Sequence, residues 1–308
     1  MRIHRDTDYL DEIDRGSTVA IGNFDGVHLG HQAVLNVAGE ACDAPLGVVT
    51  FEPHPREYFA PQMPPFRLMS ADAKAHRLEK IGVSHLYELA FNSSLSELLP
   101  REFAQRILVD RLGLAHVTVG RDFCFGKKRA GDSSALERFG AEMGFGVTIA
   151  DLVETNGIEV SSTRIRAALS EGRPEDAAQM LGHLHRIEGI VERGEQRGRE
   201  FGYPTANMSI SGLHPPKYGV YAVKVSVLTG ENAGEFDGVA SLGIRPMFDC
   251  EEPNLESFLF DFRGDLYGAE LSVALVAFLR AEEKFDSLAK MITQMDSDSA
   301  LAKELLRS

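Results

Sequence analysis

An α/β domain built on a parallel sheet, followed by a small antiparallel β-barrel with a C-terminal helix, is the fold class that three observations predict. Up to about Gly146, short β-branched apolar runs alternate with helical patterns, which implies a parallel sheet covered on both faces. From about Arg186 the pattern changes to strands at short spacing, as a small closed barrel requires. At 308 residues the chain exceeds what one core usually serves, so two domains are expected, 1–183 and 184–308.

The first strand is Ser17–Ile21, an apolar run that breaks at Gly22 and turns through Asn23 to Gly26. The chain then re-enters a helix near His28, because the residues from Gln32 onward are apolar at helical spacing. His28 and His31 are therefore first-turn residues, three apart and on one face. A helix N-terminus carries unpaired N–H groups and a partial positive charge, so phosphate belongs there. Gly30, between the two imidazoles, is expected to let a ligand approach the backbone.

Leu46–Phe51, His85–Ala90, His116–Gly120 and Gly146–Ala150 read as the later strands, with helices near 71–82, 97–112 and 133–144. Pro100 stands close to the start of the second of these helices, where proline is tolerated. Right-handed crossovers bring the strands' carboxyl ends to one edge, where ligands bind, and the His28/His31 turn falls on that edge. Ser161–Gly172 opens with hydroxyl caps and closes on glycine, and Pro174–Gly182 is a second short helix. The barrel strands are Arg186–Glu192, Tyr218–Leu228, Phe236–Leu242, Asn254–Phe262 and Leu271–Leu279, and Ser287–Arg307 repeats at helical period.

Composition narrows the function. Hydrophobic content of 44% and charged content of 25% are ordinary for a soluble globular protein. A net charge of −14 argues against a nucleic-acid partner, while a nucleotide needs only local positive potential. Cys42, Cys124 and Cys250 fit neither a metal spacing nor a disulfide framework, so a reducing cytoplasm is expected. The N-terminus has no apolar targeting core, and Leu271–Leu279, the longest apolar run, is too short to span a bilayer. No membrane partner is expected, and the sequence leaves the oligomeric state open.

The string Gly22-Asn-Phe-Asp-Gly-Val-His-Leu-Gly-His31 resembles the HxGH signature of nucleotidylyltransferases. More narrowly, it is similar to the opening of the prokaryotic bifunctional riboflavin kinase/FAD synthetase family. That resemblance implies a Rossmann-like nucleotidylyltransferase domain that adenylylates FMN with ATP, giving FAD and pyrophosphate. A phosphate monoester attacking the α-phosphate of ATP is already an anionic nucleophile, so this chemistry needs positioning and hydrogen-bond donors rather than a base. His28 and His31 suit that task, with Gly22, Asn23 and Phe24 in the same turn as nucleotide contacts. Ser161-Ser-Thr-Arg-Ile-Arg166 matches the family's second motif, which nominates Ser162, Thr163 and Arg166 as phosphate donors. Val119–Gly126 resembles a third motif, with Asp122 at the nucleotide–flavin position. Thr50-Phe-Glu-Pro-His-Pro-Arg56 also matches, and Phe51, Pro53 and Arg56 are candidates for walling a flat isoalloxazine ring.

Gly189–Gly194 and Arg197–Asn207 resemble the family's riboflavin kinase module, which makes FMN and ADP from riboflavin and ATP with Mg²⁺. Glycines such as Gly194 make loops whose N–H groups can cradle phosphates. The resemblance assigns Thr205 and Asn207 of Pro204-Thr-Ala-Asn207 to the ATP-bound Mg²⁺, an ion that commonly keeps waters and phosphate oxygens. A neutral 5′-hydroxyl, unlike a phosphate, must be oriented and deprotonated, and Glu256 is the candidate base. Strand alternation over Leu255–Phe262 puts Glu256 on one face with Phe258, Phe260 and Phe262. The chain departs from the family at Ser241 and Met247, where Asn and Thr are usual, and at Phe258, where His is frequent. Three rivals are an enzyme with one inactive site, a nucleotidylyltransferase for another phosphate acceptor, and a flavin carrier without turnover. Intact His28, His31 and Glu256, together with the C-terminal barrel, favour the two-site enzyme.

Overall fold

The computed structural model describes residues 1–5, 7–151, 154–155, 158–194, 202–247 and 250–307. They form two compact units, residues 1–63 with 71–160, and residues 64–70 with 161–308.

The first unit holds a six-stranded sheet. Its strands are β1 (Arg2–His4), β2 (Thr18–Ile21), β3 (Leu46–Glu52), β4 (His85–Ala90), β5 (His116–Gly120) and β6 (Gly146–Ala150). All are parallel, in the order β1-β4-β3-β2-β5-β6. Every residue of β2 is buried, as expected of a central parallel strand covered on both faces. The order reverses at β2, with β3 on one side and β5 on the other. Ligands of open α/β sheets bind beyond the carboxyl ends of the strands at such a reversal.

Helix α1 (Leu29–Ala41) follows β2, α2 (Ala71–Lys80) follows β3, and α3 (Ser133–Met143) precedes β6. The expected helix at 97–112 starts at Pro100–Glu102, and its body, Phe103–Arg111, is wound as a π-helix. Val19, Ile21, Val49, Tyr87, Leu108, Val117 and Leu136 belong to the core between these layers. β1 was not foreseen, because its three residues lack an apolar pattern.

In the second unit α4 (Ser162–Ser170) and α5 (Pro174–Leu181) pack together around Leu68, Ile165, Leu169 and Leu181. The barrel strands are β7 (His185–Ile190), β8 (Ala206–Ser209), β9 (Gly219–Val227), β10 (Gly234–Met247), β11 (Cys250–Leu259) and β12 (Glu270–Arg280). They are antiparallel in the order β7-β12-β9-β10-β11-β8. The ring closes where Glu192, just past β7, bridges to Asn207 of β8. Inward residues such as Ile187, Met208, Tyr221, Val223, Leu255 and Val273 fill it. Helix α6 (Leu288–Arg307) covers Phe260 and Ala222 through Ala302 and Leu306.

At the sheet's edge, His4 and His85 face each other, Nε2 to Nδ1, at 3.1 Å, with ring centroids 5.4 Å apart and planes 14° apart. The centroid separation exceeds the nitrogen separation by twice an imidazole's ring radius, so lone pair and N–H lie on one line. That is a hydrogen bond, not a chelate: an ion needing bonds of about 2.0–2.1 Å to each nitrogen does not fit between them. Burial is the main cause lowering both rings from their ordinary 6.5, with Asp14 opposing and Arg2 assisting. Below about pH 6.5 the unfolded chain therefore takes up protons that the folded chain refuses, and acid destabilises the fold. The melting temperature should fall between pH 7.5 and 5.5, and His4→Gln/His85→Gln should show a shallower fall. An unchanged slope in that double variant would show that the pair does not contribute.

Candidate active sites

The turn after β2 is built by backbone that most side chains avoid. Phe24 (φ 52°) and Val27 (φ 42°) lie in the left-handed region, and both side chains are fully buried. The Gly22 N–H donates to the Val49 carbonyl at 3.1 Å. The Thr50 hydroxyl donates to the exposed Asn23's carbonyl at 3.3 Å. This fixes both flanks of the turn.

His28 is the N-cap of α1 rather than a first-turn residue: its Nδ1 accepts from the His31 backbone N–H at 3.3 Å. With Nδ1 accepting, the neutral ring carries its proton on Nε2. The two imidazoles stack with centroids 3.6 Å apart and planes 15° apart, and Phe24 supports His31 at 5.0 Å. Burial, reinforced by His28 and Lys74, holds His31 well below 6.5, so it is neutral at physiological pH. Its Nδ1 is buried without a hydrogen-bond partner.

Gly30 has a different reason from the one expected. A Cβ there would sit 3.1 Å from His28 Cε1 and Nδ1, so the missing side chain makes room for the imidazole. Asp122 is exposed just past the end of β5, the strand beside β2 on the far side of the reversal. Ser162, Thr163 and Arg166 lie on α4 in the second unit. There the Ser161 side chain caps the helix, and Arg166 Nε donates to the Phe66 carbonyl at 2.6 Å.

Pro53 and Arg56 are exposed, whereas Phe51 is half-buried against the core. Sequence reasoning missed the more open part of this wall. Tyr58 and Phe59 pack edge-on against Phe91 at 5.4 and 5.7 Å, and Phe91 against Phe51 at 5.8 Å. Phe59 is 68% exposed. The signal was an aromatic pair following two prolines.

In the barrel the expected residues come together at the seam. Asn207 stands opposite Glu256 in register, and Ser241 is opposite it on the other side. Thr205 Oγ1 donates to Glu256 Oε2 at 3.5 Å, and Asn207 Nδ2 donates to Thr205 O and Oγ1, both at 3.4 Å. Asn254, not singled out from the sequence, is buried and donates to Asn207 Oδ1 at 3.1 Å and to Glu256 Oε1 at 3.5 Å. It lies two residues before Glu256, so strand alternation could have found it. A Cβ on Gly194 would fall 2.7 Å from Asn207 Nδ2, so the loop backbone rests against that amide.

The face around Glu256 is polar at Thr205, Asn207 and Asn254, and the expected apolar row is shorter than alternation suggests. β11 ends at Leu259 and Asp261 adopts φ 57°, which turns Phe262 toward the barrel core while Phe258 and Phe260 meet α6. Phe258 packs on Tyr203 at 4.8 Å, and the Tyr203 hydroxyl donates to Asp296 of α6. Thr205 also lines a cleft of about 190 Å³ with Val191, Phe262, Asp265 and Tyr267. The Arg197–Phe201 part of the glycine-rich loop, Gly198 included, lies outside the described residues, as does the Met247 side chain.

A family model for FAD synthetase matches residues 10–164, and one for riboflavin kinase matches residues 181–306. A bifunctional riboflavin kinase/FMN adenylyltransferase of Pseudomonas fluorescens is 42% identical, over 94% of this chain and 93% of its own. One from Haemophilus influenzae is 36% identical over the full length of both. A solved structure from Streptococcus pneumoniae, described as a macrolide-efflux protein, is 30% identical with a TM-score of 0.80 and 94% of each chain covered. Among the described residues of this chain, no helix is long and apolar enough to cross a membrane.

The contact at Gly30 yields a direct test. In Gly30→Ala the His28 ring must move by a few tenths of an ångström, so its cap to His31 N–H weakens. Alanine also favours a helix over glycine by up to about 1 kcal/mol, which can mask the lost cap in a stability measurement. The informative readout is imidazole NMR: the His28 and His31 ring signals should shift while those of His116 stay in place. Unmoved His28 signals would show that the glycine is not needed there.

Proposed function

This chain belongs to the family of bifunctional riboflavin kinases and FMN adenylyltransferases, and we propose that its two sites divide the chemistry by whether the acceptor arrives charged. It phosphorylates riboflavin with ATP to FMN, and adenylylates FMN with a second ATP to FAD and pyrophosphate. Residues 1–183 are assigned to adenylyl transfer and 184–308 to the kinase. A cytoplasmic enzyme acting on these small molecules, without nucleic-acid or membrane partners, is the setting this reading takes.

For adenylyl transfer, the FMN phosphate is the nucleophile and needs alignment with the α-phosphate of ATP. His28 and His31, stacked at the N-terminus of α1, serve as donors to charge developing on the α-phosphate and the departing pyrophosphate. Gly22, Asn23 and Asp122 belong to the loops after β2 and β5, on the ligand-binding edge. The aromatic group of Phe51, Tyr58, Phe59 and Phe91 suits the flat isoalloxazine. Phe24 contributes from beneath, as the buried support of His31.

For the kinase, the observation that carries the reading is the convergence of Glu256, Thr205, Asn207 and Asn254 at the barrel seam. Glu256 accepts the proton of the riboflavin 5′-hydroxyl as that oxygen attacks the γ-phosphate. Asn254 and Thr205 orient the carboxylate through one oxygen each. The donor set fits Mg²⁺: Thr205 offers a hydroxyl oxygen, and Asn207 Oδ1 keeps a second lone pair beyond the one Asn254 uses. Bound there with ATP, the ion would neutralise charge on the phosphates.

Incubation with riboflavin, ATP and Mg²⁺, followed by chromatography of the flavins, should give FMN and then FAD. His28→Ala/His31→Ala should abolish FAD while FMN still accumulates. Glu256→Gln should lower FMN formation by about 10²–10⁴-fold, the usual worth of a general base, yet spare FAD made from supplied FMN. Equal loss of both products in either variant would contradict separate sites.

A further inference from the structure

We infer that Lys74 is a positioning residue of the adenylyl-transfer site, acting through Thr50 and the Asn23–Phe24 turn to hold the stacked imidazoles in place. The inference rests on the reading of that site given above and adds a residue to it.

Lys74 stands on α2, and its side chain is only 6% exposed. A lysine is rarely buried this far without a task or a partner. It has a partner: Nζ donates to Glu52 Oε1 at 2.7 Å. Such a pair is weak grounds for stability, because the desolvation of both charges offsets their attraction and an apolar pair would often serve as well. The further hydrogen bond is the informative one. Nζ also donates to Thr50 Oγ1 at 3.2 Å, and that hydroxyl in turn donates to the Asn23 carbonyl at 3.3 Å.

Thr50 and Glu52 are two apart on β3, so one face of the strand presents both to α2. The relay therefore runs from helix to strand to the turn, and ends beside Phe24. A non-glycine residue at φ 52° persists only where its surroundings over-determine it. Phe24 in turn carries His31, which stacks on His28. Electrostatics run along the same path. The titratable and charged groups bearing on His31 are His28 of its own helix end and Lys74 from α2, and both oppose protonation. Removing the ammonium thus loosens the turn and lets the ring take up a proton more readily.

The test uses the full-length enzyme with Lys74→Met, Lys74→Arg and Thr50→Val. FAD formation from FMN, FMN formation from riboflavin, and the titration of the His31 ring by NMR are measured for each. In Lys74→Met, kcat for FAD formation should fall about tenfold or more, a loss on the scale of sub-ångström misplacement, with little change in KM for FMN. The His31 titration should move up toward 6.5, and FMN formation should stay at the wild-type rate. Thr50→Val should lower kcat while leaving that titration where it was, since the charge remains. Lys74→Arg should restore part of the rate.

Full FAD turnover in Lys74→Met, or an unmoved His31 titration, would overturn the inference. So would a parallel loss of both activities in step with the folded fraction seen by circular dichroism. Should Lys74→Met not fold, Thr50→Val decides alone, and an unaltered kcat there sinks the relay. A wild-type chain that makes FMN but no FAD would count against the site's reading, while the His31 titration would still judge the role of Lys74.

Discussion

The contact between the Phe24 ring and His31 is the interaction on which the first site depends. It is made by a bulky residue in the left-handed region, at φ 52°, that is only 1% exposed. Such a conformation costs on the order of 1–3 kcal/mol, and it survives because both flanks of the turn are tied to β3. Gly22 N–H reaches Val49 and the Asn23 carbonyl receives Thr50. Freed from that turn, α1 would still be a helix, but its N-cap would have no reason to hold an imidazole 3.6 Å from another.

Both sites sit where strand pairing reaches a boundary. In the first unit the sheet reverses order at β2, and open α/β sheets bind ligands beyond the strand ends at such a reversal. In the second unit the barrel closes through the Glu192–Asn207 bridge, next to β11. There Asn207 and Glu256 are cross-strand neighbours, held at one spacing by the register of β8 on β11. Regular pairing fixes the backbone to within fractions of an ångström, and its interruption gives side chains room to meet a substrate.

Much of this was legible in the sequence, and the parts that were not have separate physical causes. Every strand of the first sheet except β1 was found from its β-branched apolar run, whether fully buried like β2 or half-buried at the edge like β6. His28, His31 and Glu256 were nominated from residue types and spacing together with the resemblance, and Thr205 and Asn207 from the resemblance alone. One part that escaped was contact between separate elements of the chain. Lys74 was not singled out, because nothing local says that it reaches Thr50 and Glu52, 24 and 22 residues away. Gly30 was read as room for a ligand because a sequence does not show which ring fills the space. Phe262 was misplaced because alternation assumes that a strand continues, and β11 stops at Leu259.

The acidity of the chain and the neutrality of its imidazoles belong to one argument. With a net charge of −14, the protein offers no general attraction to nucleotides. His31 is held uncharged by burial, and the ammonium of Lys74 is matched by Glu52. On the proposed reading, the turn before α1 therefore presents neutral rings and N–H donors to the phosphates. A fixed cation would bind the charges of ground-state ATP nearly as well as those of the transition state, and uniform binding of that kind does not raise turnover. Donors aimed at the oxygens where charge grows discriminate between the two states. The barrel faces the opposite demand, since its acceptor arrives as a neutral alcohol. On the proposed assignment, an oriented carboxylate answers that demand where the first site has a pair of neutral rings, and each arrangement would serve the other reaction poorly.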